Sequence, residues 1–201
     1  MSYRVESLMS ARLFVVPQYA EKKIFFLSNS SGHLSLYAMK FGGSVPEPLL
    51  PPHIALQNPH LIGGLSFFVF SKLKKILVMI DKDGDENYQP MLIPLDGGFP
   101  EPSFDNFFEK YRVHLGECDA EKGFVYFGAE RRDIAMIETY RGDLKSGKLT
   151  KIAEYPFGLG VAAHSKDHNK LLLGTGYAVG DGVLWLWDKG KQKTIYGKLT
   201  E

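Results

Sequence analysis

The sequence has little cysteine and no long apolar run. Its one cysteine, Cys118, excludes an intrachain disulfide and a zinc site built from several cysteines. The longest apolar runs, such as residues 65–70 and 76–80, are far shorter than the ~20 residues that a membrane-spanning helix requires. Residues 1–16 also lack the apolar stretch of a signal peptide. We therefore expect a cytoplasmic location and no membrane partner.

The sequence also lacks a charge excess of either sign. Lysine and arginine number 24, aspartate and glutamate number 23, and the formal net charge is +1. This balance excludes a strongly basic nucleic-acid-binding protein, and we expect no nucleic-acid partner. The 201 residues are 44% hydrophobic and 13% aromatic, with 21 glycines and 11 prolines. This composition favours many short strands joined by tight turns.

A repeat organises most of the chain. Four segments share one order: a polar turn, an apolar strand, a second polar turn and a second strand. These segments are residues 22–43, 74–98, 122–143 and 169–190. Their first strands begin at Ile24, Ile76, Phe124 and Leu171, at intervals of 52, 48 and 47 residues. A strand-and-turn repeat of this length is typical of β-propeller blades.

The chain is therefore predicted to be an all-β, single-domain β-propeller with four consecutive four-stranded antiparallel blades. The blades are placed at about residues 12–52, 64–104, 111–155 and 158–197. Helices are excluded because the apolar runs are short and rich in β-branched and aromatic residues. Residues 104–111, FDNFFEKY, have the composition for a helical turn or two, and we place them in a connection between the second and third blades.

Two stretches carry a family resemblance. They are KIFFLSNSSGHLSLYAMKFGGSVPEPL, residues 23–49, and KILVMIDKDGDENYQPMLIPLDGGFPEP, residues 75–102. Both resemble blades of TolB-like propellers and of the N-terminal propeller of prolyl oligopeptidase-family serine peptidases. The turn over residues 81–87 resembles one found in acylaminoacyl-peptidase-like members. Trp187-Asp188 is also similar to the ending of a WD repeat.

The resemblance implies a non-catalytic role for this chain. In the peptidase family the propeller is followed by an α/β-hydrolase domain, which carries the catalytic serine. This sequence contains no G-x-S-x-G, and the nearest approach, at residues 64–68, lacks the second glycine and places Ser66 in a predicted inner strand. We assign no catalytic, cofactor-binding or metal-binding residue and expect no cofactor.

Two functions remain open at the level of sequence. The leading interpretation is a propeller domain that gates a prolyl oligopeptidase-like peptidase, with peptide substrates and a linked α/β-hydrolase domain as partners. The alternative is a free-standing TolB-like scaffold for protein–protein interactions. A reading frame that continues past Glu201 into α/β segments with G-x-S-x-G favours the first, and a natural stop there favours the second.

Several polar residues are of types that form catalytic or metal sites, and the sequence favours a structural interpretation of each. The loop Asp81–Asp85 has carboxylates at alternate positions but departs from the ligand pattern of a calcium loop, so it is interpreted as a hairpin turn. His114 and His164 lie on predicted inner strands without a third metal ligand, and His168 falls in a turn. Cys118 has acidic neighbours, which disfavour a reactive thiolate.

The open ends of a four-blade array predict self-association. Propellers contain ~4–8 blades, so four blades can close alone, but the family resembled uses more, and we favour an incomplete propeller. The terminal blades then expose apolar faces that soluble monomers seldom tolerate. In the fourth blade the candidate residues are Leu171, Leu173, Leu184, Trp185, Leu186 and Trp187. We expect a homo-oligomer in which terminal blades pack face to face, and we take Trp185 and Trp187 as test positions.

Overall fold

A computed structural model describes residues 10–60, 65–178 and 181–198. The chain forms four antiparallel β-sheets that follow one another along the sequence. In the first, third and fourth sheets, strands that are successive in sequence are also neighbours, which is the arrangement of propeller blades. The predicted all-β propeller fold is therefore confirmed.

The strands are numbered in chain order. The first sheet contains β1 (Phe14–Ala20), β2 (Lys23–Ser28), β3 (Ser35–Lys40) and β4 (Glu47–Pro48). The second contains β5 (Ala55–Leu56), β6 (Phe67–Phe70), β7 (Lys75–Asp81), β8 (Gln89–Pro94) and β9 (Glu101–Pro102). The third contains β10 (Tyr111–Asp119), β11 (Phe124–Arg131), β12 (Ile137–Asp143) and β13 (Lys148–Tyr155). The fourth contains β14 (Gly160–His164), β15 (Lys170–Ala178), β16 (Asp181–Asp188) and β17 (Lys191–Tyr196).

The inner strand of the first sheet is longer than the sequence predicts. The apolar pattern ends at Val16, before Pro17, but β1 continues to Ala20. A bulge between Val15 and Gln18 takes Pro17 out of the ladder, where its missing N–H costs no hydrogen bond. Beyond the bulge the Gln18 side chain donates to the Phe67 carbonyl oxygen at 3.0 Å and so ties the first sheet to the second.

The inner strand of the second sheet is divided, whereas the sequence predicts one strand over residues 65–70. Both β5 and β6 pair with β7. The Gln57 N–H donates to the Met79 carbonyl oxygen at 3.0 Å, and the Met79 N–H donates to the Ser66 carbonyl oxygen at 2.9 Å. The chain thus leaves the strand after Gln57 and returns to it at Ser66.

Three hydrophobic clusters join successive sheets. The first packs Phe25, Leu27 and Leu36 of the first sheet against Phe67, Val69, Ile76 and Val78 of the second. The second packs Phe70, Leu77 and Met79 against Val113, Leu115 and Phe127 of the third sheet. The third packs Tyr126 and Ile152 against Leu171, Leu173, Trp185 and Trp187 of the fourth. Because side chains alternate along a strand, each middle sheet supplies one face to each neighbour.

The structure of the fourth sheet shows that Trp185 and Trp187 are the wrong test positions for self-association. Trp185 and Trp187 are only 6% and 9% exposed and belong to the cluster shared with the third sheet. The alternate residues, Leu184 and Leu186, are half-buried on the opposite face. The outer apolar face is therefore formed by Leu172, Leu184 and Leu186, and the tryptophans are core residues.

The connection over residues 104–111 forms hydrogen-bonded turns, not a helix. The Phe107 N–H donates to Phe104, and the Tyr111 N–H donates to Phe108, each to a residue three positions earlier. Phe104 and Phe108 are buried and contact the ring of Phe127 edge-on, at centroid distances of 5.8 and 5.1 Å. The aromatic content of this segment therefore serves packing. In the described part of the chain no helix is long and apolar enough to span a membrane.

Candidate functional site

The interface between the third and fourth sheets holds two features that the hydrophobic clusters do not explain. One is a buried polar cluster formed by Asp119, Tyr126 and His168. The other is a slot lined by glycine and apolar residues, which lies between the same two sheets.

The polar cluster is a string of three hydrogen-bonded side chains. Asp119 ends β10, Tyr126 lies in β11, and His168 lies in the turn before β15. His168 Nε2 is 2.8 Å from Asp119 Oδ2, and His168 Nδ1 is 2.7 Å from the Tyr126 hydroxyl oxygen. Because the carboxylate only accepts, Nε2 carries the ring proton and donates it, and Nδ1 accepts from the Tyr126 hydroxyl.

Neighbouring groups fix the His168 ring in place. Its backbone has a left-handed φ of 57°, and its carbonyl oxygen accepts from Arg141 Nη1 at 2.9 Å. The His164 ring stacks on the His168 ring with centroids 3.9 Å apart. The Phe124 ring contacts it edge-on at 5.0 Å. Although His164 and His168 do not share a helix, the turn between them folds one imidazole over the other.

The electrostatics of the cluster favour a neutral imidazole beside an ionised carboxylate. Burial lowers the pKa of His168, and the Asp119 carboxylate opposes that shift only in part. Burial tends to raise the pKa of Asp119, but hydrogen bonds from the Lys122 N–H and the His168 ring lower it overall. Burial also raises the pKa of the Tyr126 hydroxyl. His168 is 0% exposed, and its two hydrogen bonds join the third blade to the fourth.

The slot lies beside a row of three paired residues that crosses the third sheet. In that row Gly128 of β11 pairs with His114 of β10 on one side and with Thr139 of β12 on the other. Across the gap lie Leu159, Val161 and Thr175. The cavity between them has a volume of about 380 Å³. The Thr139 hydroxyl donates to the Leu159 carbonyl oxygen at 2.7 Å, and both residues line the slot.

The acidic loop over residues 81–85 behaves as a turn. The Asp81 carboxylate accepts from the Glu86 N–H at 3.2 Å, and the Asp85 carboxylate accepts from the Asn87 N–H at 2.9 Å. Asp83 and Gly84 have φ values of 56° and 76°, which tight turns require. Among residues 10–60, 65–178 and 181–198, no group of three or more His, Cys, Asp or Glu side chains is placed to hold a metal ion.

A second buried carboxylate, Glu138, also has a structural role. It is 4% exposed and accepts from the Tyr140 hydroxyl at 2.7 Å and from Lys151 Nζ at 2.7 Å. Burial tends to raise the pKa of Glu138, but these hydrogen bonds and one from Tyr111 lower it overall. All its donors belong to the third sheet, so Glu138 stabilises that sheet.

The other candidate residues of the sequence have identifiable surroundings in the structure. Ser66 is 0% exposed, so its hydroxyl is out of reach of a substrate. Burial and the charge of Glu117 raise the pKa of the Cys118 thiol, as expected from its acidic neighbours. His114 Nε2 lies 3.8 Å from Glu130 Oε2. His164 Nδ1 is hydrogen-bonded to the Ser165 carbonyl oxygen at 3.1 Å.

The polar cluster was missed because its members are far apart in sequence. Asp119 is the last residue before the polar turn between the inner two strands of the third blade, and His168 lies in the corresponding turn of the fourth. Aligning these two turns places an acid and a histidine at corresponding ends of neighbouring blades. That comparison is the one signal in the sequence that points to their contact.

The four sheets, each a sequential antiparallel set packed on the next, define a β-propeller protein. No protein-family model matches the sequence, and no curated protein matches it. Among solved structures, the chain is similar to the putative TolB from Agrobacterium tumefaciens. The TM-score is 0.61 with 18% identity, over 93% of this chain and 63% of that chain.

Peptidases are also among the similar structures. The acylaminoacyl peptidase of Pyrococcus horikoshii matches with a TM-score of 0.65 and 9% identity, over 96% of this chain and 34% of that chain. A prolyl endopeptidase matches with a TM-score of 0.64 and 12% identity, over 95% of this chain and 30% of that chain. The chain thus spans less than two thirds of each of these solved proteins. The predicted likeness to TolB and peptidase propellers is confirmed at the level of the fold.

Proposed function

We propose that the chain is a non-catalytic propeller domain that controls the access of peptides to a prolyl oligopeptidase-like hydrolase domain, linked to it or bound to it. The observation that carries this proposal is the likeness of nearly the whole chain to one part of the acylaminoacyl peptidase structure. Rigid blades packed through apolar faces provide a steric filter, because an extended peptide passes an opening that a folded protein does not.

A second candidate is a free-standing scaffold for protein–protein interactions. It is favoured by the likeness to TolB, of which this chain covers a larger share than it does of the peptidases. The two functions differ in their need for a hydrolase. A scaffold functions without a hydrolase, whereas a gate requires a hydrolase.

The gating proposal predicts a division of activities. The purified 201-residue chain should hydrolyse neither acyl-peptides nor esters, because Ser66 is buried and no nucleophile elbow is present. The native protein, isolated from its source with any attached or bound hydrolase, should cleave a short fluorogenic peptide. It should spare a folded protein that carries the same peptide in a surface loop.

The matched control for that assay is the same folded protein after denaturation, which should be cleaved. Native material that lacks any hydrolase would refute gating and leave the scaffold function. Equal cleavage of the folded and denatured proteins would refute the size filter. Turnover by the 201-residue chain that disappears in Ser66→Ala would refute the non-catalytic role.

We further propose that the isolated chain forms a homodimer through the outer face of the fourth sheet. Leu172 pairs with Leu186 across β15 and β16, and Leu184 lies two residues along the same face. The sheets inside the chain pack apolar face against apolar face, so a second copy offers this face a partner of the same kind. Two four-blade arrays close an eight-blade ring when the fourth blade of each copy packs on the first blade of the other.

The dimer is tested by light scattering over a range of concentrations. Leu186→Asp should yield a monomer, because a carboxylate cannot be buried unpaired in such an interface. Gln192→Asp, at an exposed position of β17, is the matched control and should leave the dimer intact. A monomer at every concentration of the unsubstituted chain would contradict the prediction.

A further inference from the structure

Gly128 occupies a position where neither the backbone nor the surrounding atoms require glycine. Its φ lies outside the left-handed region, and an added Cβ would meet nothing closer than the Ile137 side chain at 3.7 Å. It sits in a middle strand, where glycine costs roughly 0.5–1 kcal/mol relative to alanine. The corresponding strands of the first two sheets, β2 and β7, contain no glycine.

The space that Gly128 leaves is the slot. Strand alternation points position 128 toward the fourth sheet, as it does Tyr126, which packs against that sheet. The missing side chain therefore enlarges the cavity between the two sheets. A glycine inside a strand often marks the close approach of a ligand. The about 380 Å³ cavity is within the ~300–1,000 Å³ range of small-molecule pockets.

The lining of the slot favours an aromatic guest. Leu159, Val161 and Ile137 provide apolar walls, and Gly128 provides a bare stretch of peptide backbone. His114 and Phe157 also line the cavity, and Phe157 is 62% exposed. Aromatic rings that line a pocket offer edge-to-face contacts to a third ring.

We propose that the slot between the third and fourth blades binds an aromatic ring, held between Gly128 and the side chains of Val161 and Thr175. The ring comes either from a free small molecule or from an aromatic side chain of a peptide. Such binding requires neither a hydrolase partner nor self-association, so it stands apart from the functions proposed above.

Phenol and cyclohexanol form a matched pair of probes, because they share a hydroxyl and a six-membered ring but only phenol is flat and aromatic. Each is titrated into the ¹⁵N-labelled chain while the amide signals of Gly128, Gly160 and Gly174, which line the slot, are followed by NMR. Phenol should give saturable shifts at these glycines and bind at least tenfold more tightly than cyclohexanol. The peptide N-acetyl-Gly-Tyr-Gly-amide is the second arm.

The source of the ring follows from the two arms. Saturable shifts with the peptide assign the slot to peptide side chains, and shifts with phenol alone assign it to free aromatic molecules. Gly128→Val, whose methyl groups enter the slot, should weaken phenol binding at least tenfold without lowering the melting temperature. Thr194→Val on exposed β17 is the control and should bind as the unsubstituted chain does.

Three results would overturn the proposal. They are no saturable shift with either ligand, equal binding of phenol and cyclohexanol, or unchanged phenol binding in a folded Gly128→Val variant. Should Gly128→Val fail to fold, Gly128→Ala replaces it, since a single Cβ fits at ordinary contact distance. Phenol binding should then be weakened to a smaller extent, and unchanged affinity again overturns the proposal.

Discussion

Replacing Trp185 with alanine is expected to lower the free energy of unfolding by ~3–5 kcal/mol, the usual cost of removing a buried aromatic side chain. Trp185 is 6% exposed and packs against the third sheet, with its ring centroid 6.0 Å from that of Tyr155. Trp185 and Trp187 are the largest side chains of the cluster that the third and fourth sheets share. The cavity left behind therefore lies at the centre of their contact.

Urea unfolding at a protein concentration where the chain is monomeric measures this loss, and Leu186→Ala provides the control. Leu186 is the next residue of β16 but lies on the outer, half-buried face. Its replacement should cost less than half as much as that of Trp185, because it removes less buried surface. Equal losses at the two positions would contradict the assignment of inner and outer faces.

Acidification is expected to weaken the contact between the third and fourth blades. The pKa of His168 is lowered by burial, so between that pKa and the ordinary value of ~6.5 the unfolded chain binds the proton first. The stability that His168 contributes is therefore complete above pH ~6.5 and is lost as the pH falls below it. Asp119, whose pKa is also lowered, contributes stability that is lost at still lower pH.

The groups that act on His168 set the direction of this effect. Asp119 favours the imidazolium, whereas burial, the stacked His164 ring and the charge of Lys122 oppose it. The melting temperature should fall by a few degrees between about pH 7 and pH 5; for a chain of this size ~1 kcal/mol corresponds to ~2–4 °C.

Differential scanning calorimetry across this range tests the assignment to His168. His168→Gln should flatten the pH dependence, because glutamine does not titrate, although the variant is less stable at neutral pH. His53→Gln, at an exposed position, should retain the full pH dependence. If the two variants show the same slope, His168 is not the group responsible.

The sequence predicts the strands well because their signal is local. Each strand is a short apolar run bounded by glycine or polar turns, and hairpin pairing follows from chain order. The division of the second blade's inner strand is not local. It depends on the Gln57 and Ser66 backbones both bonding to Met79, and no periodicity reports that pairing.

The contents of the interface were harder to predict, because register decides which face a residue occupies. A shift by one position exchanges Trp185 with Leu186, and both are apolar. The contact between His168 and Asp119 likewise depends on how two blades stack. In the sequence Gly128 is one of several glycines in predicted strands. Only the structure shows that its neighbours leave room for a side chain.

The order of the three hydrophobic clusters determines how local unfolding spreads along the chain. In the described part of the chain each cluster connects one blade to the next, and none connects the first blade to the fourth. Such a linear array behaves like a chain of coupled units whose total stability is a sum over units and contacts. A destabilising substitution in a terminal blade then unfolds one end of the array locally. The same kind of substitution in the second or third blade separates the array into two uncoupled pieces. In the monomeric chain, protease cuts and hydrogen exchange should therefore appear earliest at the two ends and spread inward blade by blade.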